Sequence, residues 1–151
     1  MIDSVKNKIK AYISESKEAG QAVKFAYIFG SVLHSEKFRK NSDIDLAFFI
    51  DRSLYKKDPL SASAPAFIAA TEVGLLLNHQ TDVIILNSAS IETAYQVITT
   101  GKVLYETNHE ERIEYEISLK GLYYDFKPFL EELRKKSISR LCGKERNHEV
   151  N

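Results

Sequence analysis

Val23-Lys24-Phe25-Ala26-Tyr27-Ile28-Phe29 runs straight into Gly30-Ser31, and eleven residues further on the chain reads Asp43-Ile44-Asp45-Leu46-Ala47-Phe48-Phe49-Ile50. Both runs are dense in β-branched and aromatic residues, which predicts two strands, the first stopped by a turn. Side chains alternate across a strand, so Asp43 and Asp45 share one face while Ile44 and Leu46 point to the other. Two carboxylates that close repel unless a cation sits between them. Hard oxygen donors at this spacing suit Mg²⁺, which is commonly held by one or two carboxylates together with substrate phosphates. Gly30 lets the backbone approach a phosphate closely, and the Ser31 hydroxyl and neighbouring amides can donate to its oxygens.

A third acid follows downstream. Thr81-Asp82-Val83-Ile84-Ile85-Leu86 is a short apolar run of strand length, and Asp82 at its start could complete a two-metal site or accept the proton of an attacking hydroxyl. Any one of these features is ordinary. Asp-x-Asp is common on exposed strand faces, and Gly-Ser after a strand is usually only a turn. Their order carries the argument: strand, Gly-Ser, polar loop, strand with paired acids, helix, strand with a third acid. Together they describe a phosphate-and-metal site suited to in-line attack on a nucleoside triphosphate.

Outward from this core, Ile2, Val5, Ile9, Tyr12 and Ile13 recur at helical spacing and predict an amphipathic helix ending near Gly20. Residues 51–59 read as a charged loop, and 62–77 as a mostly buried helix interrupted early by Pro65. Ser90 is an N-cap for a short helix over 91–99, Gly101 closes it, and 102–105 forms a small edge strand. Tyr115, Leu119, Leu122, Phe126, Phe129 and Leu133 then recur at three and four in a long helix expected to kink at Pro128. From Ser137 the periodicity lapses, so residues 1–136 read as one domain and 137–151 as a polar, frayed tail. Helices interleaved with strands give an α/β or α+β domain with helices packed on one sheet.

Composition bounds the function. The chain has 151 residues, 21 Lys+Arg against 21 Asp+Glu, and a single cysteine, Cys142. That length suits one domain burying roughly two-thirds of its unfolded surface. Zero net charge gives no long-range field to gather nucleic acid or an anionic membrane, so neither is an expected partner. One cysteine forms no internal disulfide, and the N-terminus has no apolar run suited to a signal peptide or membrane span. A cytoplasmic setting is expected. Cys142, with no His or Asp patterned around it, reads as inert, and His34 and His79 as structural or solvated. Tyr123 and Tyr124 could accept a modification, but their place in the helical apolar pattern favours packing.

Phe29-Gly30-Ser31 through Ser42-Asp43-Ile44-Asp45-Leu46 resembles the signature of the DNA polymerase β-type nucleotidyltransferase superfamily in its small stand-alone form. Gly101-Lys102-Val103-Leu104-Tyr105-Glu106, followed by the long helix with Tyr123-Tyr124-Asp125-Phe126, is similar to the minimal nucleotidyltransferase (MntA-type) antitoxins encoded beside HEPN-domain ribonuclease toxins. The resemblance spans about residues 20–134. It implies a small mixed sheet flanked by helices, a long C-terminal helix, and Mg²⁺-dependent transfer of AMP from ATP to a tyrosine hydroxyl of the HEPN partner, silencing it. By the same resemblance Asp43 and Asp45 hold Mg²⁺, Asp82 is the third metal-site acid and general base, and Gly30 with Ser31 binds the triphosphate. Val32 and His34-Ser35 depart from the family's usual arginines, leaving Lys37, Arg39 and Lys40 as candidate phosphate cations. Two alternatives stand beside this reading: a binding-only antitoxin with a residual site, and a small-molecule nucleotidyltransferase of the aminoglycoside-modifying kind.

Overall fold

A computed structural model describes the backbone of residues 1–34 and 36–150 and the side chains to residue 141, so the side chain of Cys142 lies outside the described residues. The elements, in chain order, are α1 (Ile2–Glu15), α2 (Lys17–Ala22), β1 (Val23–Phe29), a 3-10 turn (Gly30–Leu33), β2 (Ile44–Ile50), α3 (Arg52–Lys57), α4 (Pro59–Leu77), β3 (Thr81–Ile85), α5 (Ile91–Thr100), β4 (Lys102–Glu106) and α6 (His109–Val150). The strands form one mixed sheet in the order β3-β2-β1-β4. β1 is antiparallel to both β2 and β4, and β2 runs parallel to β3.

Strand alternation sorts two hydrophobic layers. Ile44, Leu46, Phe48 and Ile50 of β2 join Val23, Ala26 and Ile28 of β1 under α1, α2 and α4. Phe25 and Tyr27 of β1, with Ala47 and Phe49 of β2, face the other way and pack under α5 and the first turns of α6. A parallel pair needs a crossover, and the α3–α4 segment supplies it by carrying the chain from the end of β2 back to the start of β3. The sheet is therefore covered on both faces, and its polar strand ends emerge only at its rim.

Several local readings change. The expected single first helix breaks at Ser16, whose hydroxyl accepts from Ala19 N–H and caps α2. Within the expected loop 51–59, residues 52–57 form a helix, α3, because Asp51 caps its start and Asp58 then caps α4, with Pro59 in the first turn of α4 where its missing N–H is harmless. α4 thus begins three residues earlier than expected and runs through Pro65 without a break. Only one of its faces is buried. Ala62, Ala66, Ala69, Ala70 and Val73 lie on the sheet, while Leu60, Phe67, Ile68, Leu75 and Leu76 point outward. It is long and apolar enough to cross a membrane by length and composition, yet its Ala-rich face is part of this core.

α6 corrects the reading of the tail. It continues as one helix through Pro128 and past Ser137 to Val150. Its aromatic stripe divides: Tyr115 and Leu119 pack on the core, while Leu122, Phe126, Phe129 and Leu133 are exposed. Tyr123 stacks on Tyr95 of α5 at 3.6 Å between ring centroids, and Arg134 pairs with Glu92, tying the middle of α6 to α5.

Candidate active site

The paired acids sit where β2 begins. Asp43 immediately precedes Ile44, and Asp45 is the second residue of the strand, both on the face shared with Ala47 and Phe49. Across the parallel ladder Asp45 is in register with Asp82. In-register neighbours of a parallel pair present their side chains to the same face about 4.8 Å apart, so the third acid arrives beside the first two. On its other side Asp45 is in register with Phe29, the residue before Gly30. Asp43, Asp45, Asp82 and Gly30 thus meet at one end of the sheet, around the junction of β1, β2 and β3.

Gly30 has φ +81°, a left-handed conformation that favours glycine. Space gives a second reason: a Cβ at this position would overlap Asp45 Oδ2 and come within 3.0 Å of its Cγ. The glycine is therefore a cradle for the Asp45 carboxylate, and a 3-10 turn over Gly30–Leu33 starts there. Asp43 and Asp82 are exposed and Asp45 half-buried.

The electrostatics follow from this crowding. Desolvation, then the charges of Asp82 and Asp43, hold the Asp45 carboxyl above the usual carboxylate range. No Lys or Arg among the described residues pairs with any of the three acids. The set is chemically suited to a hard cation: oxygen donors only, mutually repelling, with one glycine opening space beside them. Among the described residues no group of three or more His, Cys, Asp or Glu side chains is placed to hold a metal ion.

The loop after the turn packs partly inward. Val32, Leu33 and Phe38 pack against the core, so the residue following Ser31 offers no cation. Lys37, Arg39 and Lys40 are exposed, and no ion pair among the described residues engages them. His34 is exposed as well, while His79 is half-buried.

Sequence reasoning missed a second acidic cluster at the far end of the sheet. Arg112 of α6 donates through Nε to Glu106 and through Nη1 to Glu116 at 2.7 Å, and Tyr27 donates its hydroxyl to the same Glu116 oxygen at 2.7 Å. The i,i+4 spacing of Arg112 and Glu116 was visible; the Tyr27 contact, 89 residues away, was not.

The polymerase β nucleotidyltransferase family model matches residues 7–110. No curated protein sequence matches the chain. Among solved structures, a toxin–antitoxin with AMP-PNP aligns over 85% of this chain and 98% of its own at TM-score 0.56 and 21% identity. An MntA–HepT toxin–antitoxin structure aligns over 87% and 98% at TM-score 0.53 and 20% identity. A structure of a tri-AMPylated Shewanella oneidensis HEPN toxin in complex with its MNT antitoxin aligns over 89% and 99% at TM-score 0.54 and 20% identity. At these identities the likeness is one of fold.

Proposed function

Because the chain belongs to the polymerase β-type nucleotidyltransferase family, we propose that it is an antitoxin that transfers AMP from ATP to a tyrosine hydroxyl of a HEPN-domain ribonuclease and so silences it. The observation that carries this reading is the cradle. A glycine in a left-handed conformation makes room for Asp45, which is flanked by Asp43 two residues before it and by Asp82 across the ladder. The shared fold with a toxin–antitoxin structure holding AMP-PNP and with an AMPylated HEPN toxin bound to its MNT antitoxin supports the nucleotide and the class of partner.

In this reading Asp43 and Asp45 hold Mg²⁺, and Gly30 and Ser31 face the triphosphate. The bound ion supplies charge neutralisation of the phosphates. Asp82, exposed and in register with Asp45, takes the proton of the tyrosine hydroxyl as its oxygen bonds to the α-phosphorus and pyrophosphate leaves. Lys37, Arg39 and Lys40 supply the positive charge that Val32 does not.

Intact-mass spectrometry of the HEPN partner after incubation with this protein and Mg²⁺-ATP tests the reading. One or more adenylate increments are expected, and none with the Asp43→Asn, Asp45→Asn double variant. The core packing of Val32 and Leu33, which removes a cation from the turn, favours a second reading in which the antitoxin acts by covering its partner. Silencing of the ribonuclease with no mass gain would establish that one instead.

A further inference from the structure

We propose that His79 is a positioning residue that fixes the basic loop and the first acid of the site relative to the third; the proposal rests on the adenylyl-transfer reading of Asp43, Asp45 and Asp82. His79 lies in the tight turn between α4 and β3, three residues before Asp82. That turn is firmly built. Asn78 closes α4 in a left-handed conformation, φ 53°, and His79 N–H donates to Gly74 O at 3.1 Å. A Cβ on Gly74 would stand 2.7 Å from the His79 carbonyl, so only a glycine admits so close a return of the chain. From this support the imidazole reaches across to the other side of the site.

Its two contacts are of different kinds. Nδ1 lies 3.0 Å from the carbonyl oxygen of Ser42, the residue before Asp43. A carbonyl only accepts, so Nδ1 carries the hydrogen. The ring also packs on Phe38, with centroids 4.9 Å apart at 31°, and Phe38 sits between Lys37 and Arg39. One residue later Ile44 N–H donates to Gln80 O at 2.9 Å, which continues the same seam. Lys40, Asn41, Ser42, Asn78, His79 and Gln80 line a cavity of about 330 Å³ along it. A single side chain thus holds the loop that carries the candidate phosphate cations and the peptide that leads into Asp43. It does so from the turn that leads into Asp82.

The two contacts can be removed separately. His79→Phe keeps a ring against Phe38 and loses the donor; kcat for AMP transfer should fall about fivefold with KM for ATP held, since one neutral hydrogen bond is worth roughly that factor. His79→Gln keeps a donor and loses the ring; KM for ATP should rise about fivefold with kcat nearly held. Amide hydrogen exchange, measured without nucleotide, supplies a readout independent of activity. His79→Ala should speed exchange in residues 36–46 and leave β1 and α6 unchanged. Unchanged kinetics in both variants, or faster exchange spread evenly over the molecule, would overturn the proposal. Should the wild-type protein transfer no AMP, the proposed function fails on its own. The exchange experiment then judges His79 alone: local acceleration upholds its hold on the loop, and none refutes it.

Discussion

Two acidic clusters occupy opposite ends of the same face of the sheet and are built on contrary terms. At one end Glu106 and Glu116 enclose Arg112, Tyr27 adds its hydroxyl, and Phe25 and Phe49 stack beside them at 4.7 Å with Tyr115 against both rings. Both carboxylates there pair with the one guanidinium. At the other end Asp43 and Asp82 lie near Asp45 with no ion pair to any of the three among the described residues, and a glycine leaves room for the Asp45 carboxylate. The difference is one of pairing: the first cluster holds a guanidinium between its acids, whereas in the second desolvation and the charges of Asp82 and Asp43 hold the Asp45 carboxyl above the usual carboxylate range.

The sharpest way to break this contrast is to remove the open cluster. Asp43→Asn with Asp45→Asn should lower AMP transfer by at least about 1,000-fold, the scale of losing metal charge stabilisation, while thermal unfolding shows an apo protein at least as stable as wild type. A destabilised double variant would mean that these acids are structural. The closed cluster should answer in the opposite sense. Arg112→Met removes the guanidinium between Glu106 and Glu116, and should cost about 3 kcal/mol in denaturant unfolding with kcat per folded molecule unchanged. Smaller still, Gly30→Ala combines a strained φ with a Cβ against Asp45. It should destabilise by about 1–2 kcal/mol and lower transfer through displacement of that carboxylate, as a paired melting and intact-mass assay would show.

The smallest expected effect is a difference in pH response. Asp45 has its folded pKa raised, by desolvation and then by Asp82 and Asp43, so folding favours its protonated form. That contribution is fully present below the unfolded value of roughly 4 and is lost as pH rises through the raised folded value. Glu106 has its folded pKa lowered, chiefly by the Arg112 hydrogen bond. Its contribution is present above the unfolded value and lost as pH falls through the depressed one. Melting curves between pH 7 and 3 should therefore show Asp45→Asn more stable than wild type at pH 7 and converging with it on acidification. Glu106→Gln should be less stable at pH 7 and also converge. Parallel curves for the two variants would dissolve the contrast.

How far this was legible in the sequence depends on the range of the interactions. All four strands could be read, because β-branched and aromatic runs bounded by Gly30, Asn87 and Gly101 are local signals. The acids could be read as a set because alternation fixes the shared face of Asp43 and Asp45 without knowledge of the partner strand. α3 was hidden behind its own caps: Asp51, Asp58 and Pro59 look like turn residues and here begin helices. The extension of α6 past Ser137 has no apolar stripe to announce it. Its Lys, Arg, Glu and Leu are good helix formers, and Glu132–Lys136 adds an i,i+4 pair. What joins the site together was not readable. Phe29 opposite Asp45, the exact register of Asp45 with Asp82, and His79 against Ser42 are consequences of register and crossover, set only when the sheet closes.

The strand order places β3, with Asp82, at an edge of the sheet, supported on one side by β2 and half-exposed along its length. Edge strands open locally at a fraction of the free energy of global unfolding. The proposed base therefore sits on a strand held by a single ladder, and local opening of Thr81–Ile85 would carry Asp82 away from Asp45.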